Sequence, residues 1–124
     1  MESPTSTKVI VEPAARLSGL VNCPGDKSIS HRYALIGALA TGRTTVIRYA
    51  PGADCLSTLE CLHSLGVKIR YQKGSGDTDS CVQIEGRGLS GLNETSEDLN
   101  AGNSGTTLRL LAGILAAHPF RSTI

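Results

Sequence analysis

Apolar residues recur at helical spacing early in the chain. Ile29, Tyr33, Ile36 and Ala40 follow one another at intervals of three or four residues, which predicts a helix with an apolar stripe over about 28–40. Gly42 follows as a C-terminal stop signal. The pattern therefore places a first helix directly after a turn-forming segment.

Two further helices are predicted on the same grounds. Asp54 is the predicted N-cap of the second, Gly66 is its predicted end, and its stripe is made of leucines: Leu56, Leu59, Leu62 and Leu65. The third is predicted over about 106–117, before Pro119, with these apolar positions: Leu108, Leu111, Ile114 and Leu115.

Short runs rich in β-branched residues lie around these helices. Strands are predicted in four of them: Lys8–Val11, Thr44–Ile47, Val67–Tyr71 and Cys81–Glu85. The last two flank turn-forming residues 73–79 and are expected to form a hairpin. The stretch 86–98 is predicted to be loop, with an extended piece near Leu99, and a further strand is expected from Phe120. The order is β-α-β-α-β-β followed by a helix and a strand, an α/β (α+β) fold class.

Length and composition limit the classes of protein that the chain can represent. With 124 residues, 40% apolar and 19% charged, it fits one globular domain, assigned to 21–124 after a strand and lead-in over 1–20. A net charge of +1, 3% aromatic residues and no Trp argue against a nucleic acid partner. There is no signal-like or membrane-spanning run, and four cysteines without CxxC spacing are expected to be free thiols. The expected compartment is the cytoplasm, with no membrane partner.

The segment 24–32 (PGDKSISHR) is a tight turn that leads into the first predicted helix. Unpaired N–H groups and the positive end of the dipole favour an anion at a helix N-terminus. Lys27 adds a flexible charge, Ser28 a short donor, and Arg32, one turn beyond Ser28, a rigid fork for carboxylate or phosphate. These side chains are expected to converge on one small anion. The alternative is that Asp26 or Ser28 only caps the helix, while Lys27 and Arg32 are solvated.

The segment 100–109 (NAGNSGTTLR) is a second loop of small residues that enters a helix. Glycines such as Gly105 let backbone N–H groups approach a ligand, while Asn103 and Thr106 can donate hydrogen bonds. Two such helix starts in one short chain favour one or two anionic substrates. The alternative is a Gly-rich turn in which Ser104 or Thr106 is only the N-cap.

Other motifs do not fit their spacing. Gly25–Ser28 lacks the GxxxxGK[ST] pattern of a phosphate loop. GRGLSG at 86–91 matches GxGxxG, but neither an apolar helix nor an acid about 20 residues later follows it. His63 and His118 are predicted at the surface or at helix ends. His31 lies on the first motif, where a helix-surface position is favoured and a position that faces the ligand is the alternative. No metal-binding constellation is visible.

Together, the segments 24–32 and 99–109 resemble the two N-terminal signatures of the 5-enolpyruvylshikimate-3-phosphate synthase family. The resemblance covers about Val21 to Ile124, and Asp54–Gly66 fits the family's second helix. It implies a βαβαββ repeat unit with the start of the next. It also implies transfer of the enolpyruvyl group of phosphoenolpyruvate to the 5-hydroxyl of shikimate 3-phosphate, with release of phosphate and no metal or organic cofactor.

The resemblance also implies roles for individual residues. Lys27 resembles the lysine that contacts both substrates, and it would be the catalytic residue that stabilises charge during transfer. Ser28 and Arg32 resemble contacts to shikimate 3-phosphate, and Thr106 is assigned to the same substrate. Gly105 resembles the glycine that borders phosphoenolpyruvate and glyphosate, with Asn103 beside it.

The chain departs from the family's pattern in two positions and in length. Ser104 stands where many relatives have Ala, and Leu110 where plant and enteric enzymes have Pro, so altered glyphosate sensitivity is expected. Full enzymes of the family are several times longer, so the resemblance implies an N-terminal half-site that needs a second domain or another copy for catalysis. A non-catalytic anion-binding module on the same unit is the alternative. Faces that would pack on neighbouring repeats also lead us to expect self-association.

Overall fold

The structure is a computed structural model that describes residues 8–74 and 79–124. Its helices and strands follow in this order: α1 (Lys27–Leu39), β1 (Thr41–Ile47), α2 (Ala53–Ser64), β2 (Lys68–Gln72), β3 (Cys81–Arg87) and α3 (Gly105–Leu115). The mixed α/β class is confirmed, and each predicted helix is present within about two residues of its expected bounds. No helix in these two ranges is long and apolar enough to cross a membrane.

The strands form one antiparallel sheet in the order β1-β3-β2. β3 pairs with β1 from Thr41↔Arg87 to Ile47↔Cys81, and with β2 from Lys68↔Glu85 to Gln72↔Cys81. The predicted hairpin of β2 and β3 is therefore confirmed. The tip of its predicted loop, residues 75–78, lies outside the described residues.

The helices cover one face of this sheet and enclose the core. Val82 and Ile84 of β3 are completely buried there, beside apolar residues of the helices and loops: Leu59, Leu62, Leu65, Leu92, Leu99, Leu111 and Leu115. The predicted stripes of α2 and α3 thus supply core residues, although Leu108 of α3 is exposed. On β3 the alternate residues Gln83 and Glu85 are half-buried, as expected for a strand with one core face.

The apolar stripe predicted for α1 does not form its buried face. Ile29, Tyr33 and Ile36 are 53%, 55% and 66% exposed. The side that faces the core consists mostly of small residues: Ser30, His31, Ala34, Leu35, Gly37 and Ala38.

Close packing explains this choice of face. A Cβ on Gly86 of β3 would overlap the carbonyl oxygen of Ala40, and a Cβ on Gly37 would lie 3.2 Å from the Thr44 side chain. α1 therefore approaches the sheet more closely than large side chains would allow. Small residues, not the most apolar ones, define the packed side of α1.

The predicted strands at the two ends of the described chain are wrong. Residues 8–11 and 120–124 carry no strand. Val9 and Val11 are 78% and 86% exposed, and Leu99 donates one backbone hydrogen bond to Thr123 (2.8 Å) without a ladder. β-branched residues favour a strand through packing on neighbours, and these segments lie on no sheet edge.

Candidate anion-binding site

The N-terminal turns of the three helices meet at one end of the helical layer. His31 of α1 hydrogen-bonds through Nδ1 to the Thr58 hydroxyl of α2 (2.7 Å), and Thr58 hydrogen-bonds to the Thr107 hydroxyl of α3 (2.7 Å). In addition, the Cys55 thiol of α2 donates to the Lys27 carbonyl (3.6 Å). The two predicted motifs are therefore brought to the same end of the molecule, with the N-terminus of α2 between them.

The turn before α1 is shaped by contacts with the chain that follows β1. A Cβ on Gly25 would overlap the carbonyl of Arg48, so only glycine fits this close approach. Asp26 is the N-cap, and its carboxylate accepts the N–H of Ile29 (2.8 Å). Within the described ranges, no acceptor meets the first two helical N–H groups, those of Lys27 and Ser28. These N–H groups are available to an anion.

Lys27 forms an ion pair with Asp54 in the first turn of α2. The hydrogen bond to Asp54 raises the pKa of Lys27, so the ammonium stays charged across the neutral range. Asp54 was predicted to be the N-cap of α2, but Gly52 takes that position and makes no side-chain cap. Asp54 instead lies one residue inside the helix, where its carboxylate reaches Lys27. Both residues line a cleft of about 310 Å³ between the two helix starts.

Ser28 and Arg32 are exposed on the outer side of α1. Neither side chain makes a hydrogen bond or ion pair with another part of the described chain. Arg32 lines a different cleft, also about 310 Å³, between α1 and α3 beside Leu110. The structure thus leaves Ser28 and Arg32 accessible, but it places Lys27 and Arg32 at different clefts rather than at one.

The loop before α3 ends in a side-chain cap. Ser104 is the N-cap, and its hydroxyl oxygen accepts the N–H of Thr107 (3.1 Å). The loop itself is closed by the Asn100 side chain, which accepts the N–H of Gly102 (2.8 Å), where φ is +57°. Capping by Ser104 was one of the two alternatives for this segment, and Thr106 does not cap the helix.

The first residues of α3 are accessible, and the guanidinium of Arg109 lies close to them. Asn103 is exposed, and Gly105 and Thr106 are half-buried. A Cβ on Gly105 would lie 2.7 Å from Nη1 of Arg109, so the guanidinium lies over the first turn. In the described chain, the N–H groups of Gly105 and Thr106 meet no acceptor. The second motif therefore presents free N–H groups beside a positive charge.

His31 is completely buried, contrary to the prediction of a helix-surface position. Burial lowers the pKa of His31, so the imidazole is neutral at pH 7. Thr58 and Thr107, which are also completely buried, were not predicted to belong to the site. Hydropathy gives no signal for them, because their partners come from other elements. His63 is exposed as predicted. His118 lies three residues after the end of α3, near a helix end as predicted, but it is only 9% exposed.

The four cysteines Cys23, Cys55, Cys61 and Cys81 are free thiols, as predicted from their spacing. Burial raises the pKa of Cys55 to about 11, so this thiol beside Lys27 is protonated and unreactive at neutral pH. Among the described residues, no group of three or more His, Cys, Asp or Glu side chains could hold a metal ion.

Free helix N–H groups, the nearby basic side chains of Lys27 and Arg109, and glycine-permitted backbone approach give this unit of the α/β class a candidate anion-binding site. Residues 11–124 match the sequence profile of the family described as EPSP synthase (3-phosphoshikimate 1-carboxyvinyltransferase). The chain belongs to this family.

Individual relatives agree with this assignment. The chain is 51% identical over 117 residues to the 3-phosphoshikimate 1-carboxyvinyltransferase of Herpetosiphon aurantiacus, covering 94% of this chain and 26% of the relative. It is 53% identical over 108 residues to the protein of that name from Geobacillus kaustophilus, covering 87% and 24%. The solved structure of EPSP synthase from Acinetobacter baumannii superimposes with a TM-score of 0.73 at 42% identity, covering 84% of this chain and 22% of that one. The chain thus spans about a quarter of the length of the curated relatives it matches.

Proposed function

We propose that this chain contributes the N-terminal part of the substrate site of an enzyme that transfers the enolpyruvyl group of phosphoenolpyruvate to shikimate 3-phosphate. The observation that carries the proposal is the membership of residues 11–124 in the family described as EPSP synthase (3-phosphoshikimate 1-carboxyvinyltransferase). Both motifs that would bind these anions lie at helix N-termini on the same end of the fold.

The roles proposed for the residues follow their motif positions and their accessibility. Lys27 contacts both substrates and stabilises negative charge as the enolpyruvyl group is transferred. Ser28, Arg32 and Thr106 bind shikimate 3-phosphate, and Asn103 and Gly105 bind phosphoenolpyruvate or glyphosate.

The ion pair of Lys27 adds a condition to this proposal. The Lys27 ammonium is paired with the Asp54 carboxylate, so an anionic substrate competes with Asp54 for Lys27. Arg32 reaches the same ligand only if that ligand extends past the start of α1, because it lines the neighbouring cleft. A phosphorylated ring larger than inorganic phosphate suits this separation.

A backbone amide NMR titration of the whole chain tests the site. Shikimate 3-phosphate and then phosphoenolpyruvate are added, and we expect the largest shifts at Lys27, Ser28, Arg32 and Gly105. Lys27→Ala should weaken binding about ten-fold or more, because a charge-assisted hydrogen bond contributes about 1.5–3 kcal/mol. Lys68→Ala on β2 is the charge-matched control, and it should bind like the parent.

Two results separate the proposal from its alternative. A dispersed spectrum with no shift at any of these positions contradicts a half-site that binds in this chain alone. Release of phosphate when both substrates are supplied together with the remainder of a related enzyme distinguishes a transferase from a non-catalytic anion-binding module. The module is kept as the alternative because the chain spans about a quarter of its curated relatives.

The proposal extends to the setting of the protein. We place the enzyme in the cytoplasm and expect residues 21–124 to act as a single domain. The exposed side chains of Ile29, Tyr33 and Ile36 form a row on α1 that another domain or a second copy could cover. Sedimentation at increasing concentration tests self-association, and a monomer throughout would contradict it.

A further inference from the structure

A chain of four buried side chains connects α1 to the loop before α3. His31 Nδ1 lies 2.7 Å from Thr58 Oγ1, Thr58 Oγ1 lies 2.7 Å from Thr107 Oγ1, and Thr107 Oγ1 lies 2.8 Å from Ser104 Oγ. All four residues are at most 3% exposed. They come from α1, α2, α3 and the N-cap of α3, so these hydrogen bonds form a buried polar link between the two candidate motifs.

The direction of the hydrogen bonds follows from the two ends of the chain. At one end, Nε2 of His31 is buried and meets no hydrogen-bonding atom of the described protein. An unpaired acceptor in the interior costs less than an unpaired N–H, so the proton belongs on Nδ1, where it is donated to Thr58. Burial lowers the pKa of His31, which keeps the ring neutral with a single proton to place.

The shortest contacts then give the other hydroxyls one direction. Thr58, which accepts from His31, donates to Thr107, and Thr107 donates to Ser104. Both threonines also lie 3.4 Å from the carbonyl of Asp54, a longer and weaker alternative. Ser104 accepts both from the Thr107 hydroxyl and from its N–H, so the Ser104 hydroxyl proton is left to point away from the chain.

We propose that His31 is a positioning residue: by donating from Nδ1 it sets the direction of the chain through Thr58 and Thr107 and thereby orients Ser104 and the N-terminus of α3. The consequence for ligand binding rests on the proposed function. A ligand held between the motifs then meets free N–H groups at Gly105 and Thr106 in a fixed position relative to Lys27, because α1 and α3 are tied through α2. His31 itself touches no ligand.

The first measurement needs no variant. A long-range ¹H–¹⁵N correlation spectrum of the whole chain at neutral pH reports which ring nitrogen of His31 carries the proton. We expect the Nδ1–H tautomer for His31. The exposed His63 of α2 serves as an internal reference for a ring that is not held in one tautomer by a buried partner. A predominant Nε2–H tautomer for His31 would reverse the direction of the hydrogen bonds between His31 and Ser104 and overturn the proposal.

The second measurement breaks the series of hydrogen bonds between His31 and Ser104 while keeping the shape of the substituted side chain. Thr58→Val removes the central hydroxyl, and Thr58→Ser restores it. We expect Thr58→Val to shift the amide signals of Ser104–Thr107, although residue 58 lies on another helix, and to weaken shikimate 3-phosphate binding about three- to ten-fold. Thr58→Ser should recover most of the affinity, and His63→Gln, the matched control, should behave like the parent.

The outcomes for the two proposals are distinct. Unchanged signals at Ser104–Thr107 and unchanged affinity in Thr58→Val would refute the positioning role while the proposed substrate site stands. A parent chain that binds no shikimate 3-phosphate speaks against the proposed function alone, because the tautomer of His31 and the signals of Ser104–Thr107 still decide the positioning role. If Thr58→Val does not fold, the tautomer in the parent decides it.

Discussion

The cap of α1 offers a sharp test of how the first motif is built. Asp26 has an extended backbone (φ −65°, ψ 133°), and its carboxylate accepts the N–H of Ile29 at 2.8 Å. Its carbonyl accepts the Ser30 hydroxyl (2.8 Å), which in turn accepts the N–H of Ala50 (2.9 Å). The cap therefore fixes the helix start and ties it to the segment after β1.

The expected loss of stability can be divided into two contributions. Replacing an N-cap Asp by Ala costs about 0.5–2 kcal/mol, and the interaction of the charge with the helix dipole accounts for about 0.3–1 kcal/mol near the first turn. Asp26→Ala removes both, so we expect about 1–2 kcal/mol. Asp26→Asn keeps the side-chain acceptor and removes only the charge, so we expect a loss of less than about 1 kcal/mol.

Urea unfolding followed by circular dichroism measures both variants against the parent. Asp98→Ala, an exposed change in the loop before α3, is the control and should stay within about 0.5 kcal/mol. Equal losses for Asp26→Asn and Asp26→Ala would refute the capping argument, since the hydrogen bond would then contribute nothing. In the substrate titration, Asp26→Asn should not weaken binding, because it removes a negative charge beside Lys27.

Further predictions concern packing, pH and the polar core. Gly86→Ala should lower the free energy of unfolding, measured with urea, by about 1–3 kcal/mol, because its Cβ would overlap carbonyl oxygens at the end of α1. Gly113→Ala on α3 meets open space and should raise the free energy of unfolding by about 0.4–1 kcal/mol. The lowered pKa of His31 means that the unfolded chain binds a proton that the folded chain does not, so the free energy of unfolding should fall as the pH drops below 6.5, and His31→Gln should flatten that slope. Tyr49→Phe removes the buried hydrogen bond to the Cys55 carbonyl (2.9 Å) and should lower the free energy of unfolding by about 0.5–1.5 kcal/mol; an unchanged value would show that this bond is not needed to hold α2.

The helices and the hairpin could be predicted because their signals are local. The leucines of α2 lie on one face and are packed as their spacing predicts, and the alternation of Val67, Ile69 and Tyr71 marks β2. The packed side of α1 could not be predicted in this way. Which side of α1 packs on the sheet depends on Gly86 of β3, because the absence of a side chain there lets α1 approach the sheet.

The candidate site was predictable as two motifs but not as an assembly. Glycines, short polar residues and basic residues before a helix mark Lys27, Ser28 and Gly105 from sequence alone. Asp54, the partner of Lys27, and Thr58, the partner of His31, carry no such signal for the site, because each gains its role from a contact across 27 residues of the sequence. Which anion-binding groups share one cleft is a property of helix packing, which spacing along a single helix does not encode.

The strand order of the sheet has a consequence for the order in which the strands pair during folding. β2 and β3 are neighbours in sequence, with Gln72 opposite Cys81, whereas β1 pairs Thr41 with Arg87 and must close a much longer loop. Because longer loops lose more chain entropy on closure, we expect the hairpin to form first and β1 to dock later. The turn at Gly25 lies against Arg48, just after β1. We therefore expect the first candidate motif, residues 24–32, to take its shape only after β1 has paired with β3.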